Sequence, residues 1–513
     1  MTPLNFQNYQ YAQYTTRETI RLAKQTAWQN ICNLISEKNT TSYTWQIIKK
    51  LKSNNKLAIN MSDIQYNEEL CNSFMKNIIQ DYVPHETELK PKIKWNTNQN
   101  NNLEVNFTIK ELQIAINSKN KDTAPGPDGI TYSMLRHMPL IALKYLLNIY
   151  NMIWNEQCNI PEVWKKFKVI ALLKPNKEKH LSTSYRPISL IPCMMKIFNT
   201  MVKNRLEWLV EKHNIIPSFQ YGFRKKRGCS DYIINLICDF NIALSHNENI
   251  VVTSLDISNA YDKVYIPTLL NKMNKVGIPR RFVTYCQKWL MDRQIQMITP
   301  KANFTRQTCR GLPQGSVLSP LLFSIYVADI QCTIERNVKC LQYADDIVIY
   351  SCSKNNDILH EIMQCTLNNM CTNFERIGLE FNASKSNTII ISRKRNNELR
   401  TPFLIHNEKV PIVDSLRIIG IIVDKAFTFK PQINNVFKKC LKDLNIIKSI
   451  TCGRYGAHPD FALQIYKSLI RSKLDYCCFI YGNLPYSELK KLNFIQNQAM
   501  RISLGPFTST PIV

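Results

Sequence analysis

The chain is 513 residues long and 44% hydrophobic, enough for roughly two to four domain-sized units with well-buried cores. Lysine and arginine number 66 against 39 aspartates and glutamates, and the resulting +27 is spread along the chain, which points to a polyanionic partner, nucleic acid first. Seventeen scattered cysteines form no Cys-x-x-Cys pair or zinc-finger spacing, and no run of about 20 apolar residues occurs, so a disulfide framework, a structural zinc site and a membrane span are not expected.

The opening residues Met1 to Gln10 lack the basic-then-apolar order of a secretory signal. The expected location is therefore intracellular, cytoplasmic or nuclear, with reduced thiols. From Thr16 to Ser36 the apolar residues Ile20, Ala23, Ala27, Ile31, Leu34 and Ile35 recur at helical steps between basic positions. Residues 1–104 are thus expected to be a basic helical extension, closing in a polar linker from His85 to Glu104 that holds the asparagine-rich run Asn96 to Asn102.

A new domain is expected to start near Val105, with a helix over Phe107 to Ile116 and a turn-rich loop, Ala124-Pro125-Gly126-Pro127-Asp128-Gly129-Ile130. Apolar, β-branched stretches at Val169 to Leu173, Ile250 to Leu255, Cys340 to Tyr350 and Thr388 to Ser392 read as strands among helices, an α+β pattern. Beyond Phe429 the strand signals fade, and Ile433 to Ile450, Asp460 to Ser472 and Ser487 to Ile502 read as amphipathic helices with basic faces.

Two strand-borne acidic sites stand out. Val252-Thr253-Ser254-Leu255 ends in Asp256, and Asp345-Asp346 sits between the apolar flanks of Leu341 to Tyr350. Neighbouring strand residues face opposite ways, so Asp345 and Asp346 can share a site only if a hairpin turn lies between those flanks. A cluster of carboxylates is the ligand set for Mg²⁺, and phosphoryl transfer to a primer 3′ oxygen calls for two such ions about 3.5 to 4 Å apart. Taken alone, Tyr343-Ala344-Asp345-Asp346 could equally be an ordinary acidic turn.

Its company is more specific: Leu255 to Val264, then Gly311-Leu312-Pro313-Gln314-Gly315-Ser316 running on to Phe323, then the acidic hairpin. With Leu173-Lys174-Pro175, Tyr185-Arg186-Pro187-Ile188-Ser189-Leu190, Gln220-Tyr221-Gly222-Phe223-Arg224 and Gly378 to Lys385, the order and spacing resemble reverse transcriptases from about Val105 onward. The Ala124 to Ile130 loop and the Tyr185 to Leu190 run resemble the non-LTR (LINE-type) branch, jockey-like elements in particular.

That resemblance implies a right-hand polymerase with fingers over residues 105–247, a palm with an antiparallel sheet over 248–429 and a helical thumb over 430–513. Asp256 and Asp345 would hold two Mg²⁺ ions, with Mn²⁺ a possible substitute, and Asp346 would be a peripheral third carboxylate. Lys174 and Arg186 resemble fingers residues that grip the triphosphate, one as a point charge and one as a guanidinium fork. Tyr261 stands where the family places a ring beneath the incoming sugar, excluding a 2′-hydroxyl, and Gln314, Gly315 and Ser316 resemble the loop touching template and nucleotide.

Lys385 resembles a lysine held to protonate the leaving pyrophosphate, though a surface lysine in a turn reads equally well, and Tyr343 joins the candidates as the first residue of the acidic turn. Ile419 and Gly420 belong to a segment resembling the primer grip, although Arg417-Ile418-Ile419 departs from the commoner aromatic-leucine pattern. The implied partners are an RNA template, a DNA primer and deoxynucleoside triphosphates, with no membrane, and the oligomeric state is left open.

No endonuclease motif precedes the polymerase region and no ribonuclease H or zinc-knuckle motif follows the stretch Pro506 to Pro511, so the sequence reads as a shortened element able to copy RNA but not to nick a target. Two competitors remain at this level: a nucleic-acid-binding remnant that no longer copies, and a group II intron-type enzyme. The intact carboxylates weigh against the first, and the lack of a maturation domain after the thumb weighs against the second.

Overall fold

The computed structural model describes residues 3–37, 45, 48, 68–78, 103–119, 122–175, 177–299, 303–394, 401–451, 458–482 and 484–505. The Asn96 to Asn102 run, all but the last two residues of the expected His85 to Glu104 linker, and Pro506 to Pro511 lie outside the described residues. The chain divides into two compact units, one of residues 60–419 and one of residues 1–59 with 420–513. Among the described residues, no helix is long and apolar enough to cross a membrane.

The first helix, α1 (Pro3–Glu37), runs further in both directions than the periodicity from Thr16 indicates. In the 60–419 unit, α2 (Glu68–Ile78) precedes α3 (Ile109–Asn117), whose start is set by Thr108 and Glu111 in a capping box. Next come α4 (Tyr132–Arg136), α5 (Leu140–Trp154), β1 (Lys166–Leu173), β2 (Tyr185–Leu190) and α6 (Cys193–Lys212). Helix α6 is apolar on most sides and lies in the core, with Ile197, Phe198, Met201, Val202 and Leu206 all buried.

The chain continues through α7 (Cys229–Ser245), β3 (Asn249–Leu255), α8 (Ile266–Lys275), α9 (Arg280–Leu290), β4 (Arg293–Ile298) and β5 (Asn303–Thr308). It then forms α10 (Ser319–Tyr326), β6 (Val338–Tyr343), β7 (Asp346–Ser353), α11 (Asn356–Arg376) and β8 (Asn387–Ile391), and ends in the short strands β9 (Leu404–Ile405), β10 (Glu408–Lys409) and β11 (Ser415–Ile418).

Two four-stranded sheets result. One is antiparallel in the order β6-β7-β3-β8, with β3 central and almost wholly buried, as its β-branched Ile250, Val251, Val252 and Thr253 suit. The other has the order β2-β1-β4-β5, in which β1 pairs with β2 antiparallel and with β4 parallel. Helix α2 covers part of this second sheet, with Cys71, Phe74 and Met75 packed against Val169, Ala171, Tyr185, Ile295 and Met297. All four expected strand stretches form, the Cys340 to Tyr350 stretch as two strands about a turn, whereas β2, β4 and β5 were not expected as strands.

In the other unit β12 (Ile421–Asp424) leads to α12 (Lys430–Thr451), α13 (Pro459–Tyr466), α14 (Ser472–Asp475) and α15 (Tyr486–Leu504), with one π-helical turn at Lys467–Arg471. The Asp424 carboxylate accepts from the backbone N–H groups of Thr428 and Phe429 and so fixes the entry to α12. Ile433, Val436, Cys440, Leu444 and Ile447 bury one face of α12, which packs on α15, while Lys438, Lys439, Lys442 and Lys448 stay in solvent. The expected helical, basic C-terminal region is therefore present.

Candidate active site

The three aspartates come together at one end of the antiparallel sheet. Strand β3 pairs with β7 up to Leu255 opposite Ile347, so Asp256 follows directly beside the start of β7, where Asp346 stands. Strands β6 and β7 pair up to Tyr343 opposite Asp346, which leaves Ala344 and Asp345 as the two turn residues. Ala344 takes φ 61°, a left-handed conformation uncommon for alanine.

Gln342 Nε2 donates to Ala344 O at 2.8 Å, and Gln220, 1% exposed, holds the turn beside it. Gln220 Oε1 accepts from Ala344 N at 3.1 Å and from Gly222 N at 2.9 Å, and its Nε2 donates to Ala344 O at 3.3 Å. Backbone bonds from Tyr221 N to Gln342 O and from Gln342 N to Phe219 O, each 2.8 Å, lock the same segment along β6. Asp256 is held from the other side: its N–H donates to Ser386 Oγ at 3.2 Å and its C=O accepts from Asn382 N at 2.9 Å.

A cleft of about 820 Å³ opens over this end, and both Asp256 and Asp345 line it, whereas Asp346 is not part of the lining. Loss of water raises the Asp345 carboxyl above its ordinary range, with the Asp256 charge adding to the effect and Asp345's own backbone N–H and Arg186 opposing it. The Asp346 carboxyl is pushed up to about 6, by desolvation first and then by Asp345 and Asp256. Three crowded carboxylates are a hard, oxygen-only donor set, which a divalent cation would suit. Among the described residues no three His, Cys, Asp or Glu side chains already gather to hold an ion by themselves.

The opposite wall is basic. Lys174 and Arg186 are 12 positions apart in sequence, but the β1–β2 ladder puts Leu172 opposite Arg186, and Lys174 N donates to Ser184 O at 2.8 Å. Lys174 Nζ donates to Thr183 O at 2.9 Å, and Lys385 Nζ lies 3.5 Å from Asp256 Oδ2. Burial first, then repulsion from Lys385 and Arg186, lowers the Lys174 pKa. Lys174, Arg186 and Lys385 together give the cleft a cationic lining suited to a polyanion.

The remaining predicted residues divide. Tyr261 lines the cleft, its ring stacked on Phe323 at 4.9 Å between centroids, and its hydroxyl pKa is raised by burial and then by Asp345. Gln314, Gly315 and Ser316 form another part of the wall. Gly315 has φ 120°, and a Cβ there would stand 2.7 Å from Ser189 O, so the wall can approach β2 only with glycine at this position. Tyr343 is not in the cleft lining: its hydroxyl bonds to Cys229 at the start of α7, and that bond, with burial, raises its pKa to about 12. Ile419 and Gly420 form a turn with φ 43° and 86° where the two units divide in sequence, and neither lines the cleft.

Three residues were quoted within motifs or passed over without a role. Gln220 and Asp262 lay inside the recognised runs, where a buried polar residue is the available signal, and Arg293 carried no sequence signal at all.

An antiparallel sheet ending in three carboxylates, open on a cleft lined by lysines and an arginine, is suited to metal-assisted phosphoryl transfer. The sequence agrees: residues 173–423 match the family model described as reverse transcriptase (RNA-dependent DNA polymerase). Residues 173–423 thus resemble a reverse transcriptase domain, and relatives similar to the chain are polymerases of mobile elements. The chain is 26% identical to the probable RNA-directed DNA polymerase from transposon BS of Drosophila melanogaster over 77% of this chain, and 26% identical to the polymerase of the mobile element jockey from the same species over 78%. It spans 44% of the length of each of those relatives. A type-1 element R2 polyprotein of Popillia japonica is 25% identical over 65% of this chain and 47% of its own length. Solved telomerase structures from Candida albicans and Candida tropicalis overlap 72% and 70% of this chain, and 66% and 62% of their own, at TM-scores of 0.36 and 0.39 and identities of 13% and 11%.

Proposed function

We propose that this chain is the RNA-directed DNA polymerase of a non-LTR retrotransposon, extending a DNA primer on an RNA template by two-metal phosphoryl transfer. The observation that carries the reading is that Asp256 and Asp345, from separate strands, line one cleft with Lys174, Arg186, Tyr261 and Gln314. In this reading residues 105–247 act as fingers, 248–429 as palm and 430–513 as thumb, behind a basic extension of residues 1–104. The site of action is intracellular.

Asp256 and Asp345 would hold two Mg²⁺ ions, or Mn²⁺ in their place, with Asp346 outside them. When bound, such ions supply charge neutralisation at the attacking 3′ oxygen and at the leaving pyrophosphate. The protein's own part is positional and electrostatic. Lys174 and Arg186 take the triphosphate oxygens of the deoxynucleotide, the lysine as a point charge and the arginine through paired N–H groups. Lys385 stands on the same side as a proton source for pyrophosphate. Gln314, Gly315 and Ser316 bear on the templating pair, Tyr343 steadies the acidic turn from outside the cleft, and Ile419 and Gly420 belong to the primer grip.

The direct test is extension of oligo(dT) on poly(rA) and of a primer on mixed-sequence RNA with Mg²⁺, for which the wild-type chain is expected to give templated products. Tyr261 offers a second check. Its ring is seated on Phe323 and in this reading would exclude a 2′-hydroxyl, so Tyr261→Ala is expected to lower discrimination against ribonucleotides by at least about tenfold. Unchanged discrimination would make Tyr261 a packing residue.

Recognition of template and primer by charge and shape implies counterion release. Affinity for an RNA–DNA hybrid is expected to fall by at least about tenfold between roughly 50 and 200 mM salt, measured by filter binding. A flat salt response would contradict phosphate tracking by the basic surface.

A further inference from the structure

Beside Gln314 in the cleft wall stands Asp262, one end of a charged brace that reaches back to the buried Arg293. The segment Tyr261 to Val264 lies alongside the loop Gly311 to Gln314, with Gly311 N donating to Val264 O and Leu312 N to Tyr261 O, both at 2.8 Å. The approach is close, since a Cβ on Gly311 would meet Asp262 O at 2.9 Å.

Each end of the loop is held by an ion. At one end Arg293, 2% exposed, donates Nη2 to Arg310 O at 2.8 Å and to Gly311 O at 2.6 Å, and Nε to Leu290 O at 2.8 Å. At the other, both oxygens of the half-buried Asp262 carboxylate accept from Gln314 Nε2, each at 3.1 Å. Burial pushes the Asp262 carboxyl up to about 6, opposed by the Gln314 hydrogen bond and then by the charges of Lys174 and Arg293, so it is ionised above that pH.

An ionised carboxylate can only accept, so it meets the NH₂ end of the Gln314 amide and never the oxygen. Oε1 is thereby turned away from Asp262, and the amide is held in one of its two orientations. An uncharged partner at position 262 would tolerate either face of the amide. Two ions kept in a poorly hydrated wall are costly for stability alone, since apolar residues of similar volume would serve as well or better.

We propose that Asp262, backed by Arg293, is a positioning residue: it fixes the Gln314 amide in one orientation and so sets the discrimination between paired and mispaired incoming nucleotides. This rests on the polymerase reading given above, and its test is separable from that reading.

The measurement is the affinity of the full chain for the next correct and for a mismatched deoxynucleotide, on an RNA template with a dideoxy-terminated primer, which requires no chemistry. Wild type, Asp262→Asn, Gln314→Ala and the double variant are compared, with thermal unfolding of each recorded and extension of an unblocked primer by wild type run beside them. Asp262→Asn is expected to weaken binding of the correct nucleotide by about tenfold and of the mismatched one by less. In the Gln314→Ala background the same change is expected to add nothing, because Asp262 acts through that amide.

Unaltered discrimination in Asp262→Asn, or effects that add in full in the double variant, would overturn the brace while a wild type that extends keeps the polymerase reading. A wild type that discriminates nucleotides but extends none, beside an Asp262→Asn chain that has lost discrimination, would overturn the polymerase reading and uphold the brace. A wild type that neither discriminates nor extends would overturn both.

Discussion

An Asp345→Asn chain is expected to bind primer and template as wild type does and to extend the primer about 10³-fold more slowly or not at all. The side chain keeps its size and one acceptor oxygen but loses the charge a hard cation needs, and removing several kcal/mol of charge stabilisation from the transition state corresponds to about that factor. Folding is affected in the opposite sense. Asp345 lifts the Asp346 carboxyl, so without divalent ions the folded state binds protons more tightly than the unfolded chain. Metal-free stability should therefore fall as pH rises from the ordinary carboxylate range through about 6, and Asp345→Asn should soften that fall. A variant that melts no earlier than wild type in chelator, binds hybrid normally and does not extend would be a catalytic lesion. Full extension by the variant would remove Asp345 from the chemistry, and inactivity of wild type and variant alike, with hybrid binding intact, would favour the non-copying remnant.

The carboxylates were legible because their surroundings are simple. A short, β-branched stretch such as Ile250 to Leu255 favours a buried strand, and two acidic residues between apolar flanks can share a site only at a turn, which is where Asp345 and Asp346 stand. The basic wall was less so. Strand β2 is an edge strand with Pro187 inside it, a residue that argues for a turn when read locally, and its pairing with β1 is what carries Arg186 back beside Lys174. Strand β4 hid for a related reason. In Arg293-Gln294-Ile295-Gln296-Met297-Ile298 the inward face begins with a buried arginine, which hydrophobic patterning assigns to solvent. Gln220 and Asp262 mark the same boundary, since the worth of a buried polar side chain lies in the partner that tertiary structure supplies, and no local pattern encodes it.

Gly222 gives the sharpest test of how the site is held. Its position needs no unusual φ, yet a Cβ there would stand 2.3 Å from Ala344 N, 3.0 Å from Ala344 Cα and 3.0 Å from the Tyr343 carbonyl carbon. All three are backbone atoms, so no rotamer change relieves the clash, and reaching ordinary contact means moving the acidic turn by about 1 Å. Such a shift pulls Ala344 off the Gln220 amide, which holds the turn from both its N–H and its C=O. Gly222→Ala is therefore expected to displace Asp345 from its place beside Asp256 without altering a single ligand. A misplacement of that size costs about 10²-fold in rate, alongside overpacking of about 1–3 kcal/mol in stability. Extension kinetics with thermal melting and hybrid binding would separate these effects: a folded chain that binds hybrid but extends about a hundredfold more slowly is the expected outcome. Wild-type extension by Gly222→Ala would mean that the Phe219 to Gly222 segment does not set the turn, and that the hairpin's own β6–β7 pairing is enough to aim Asp345.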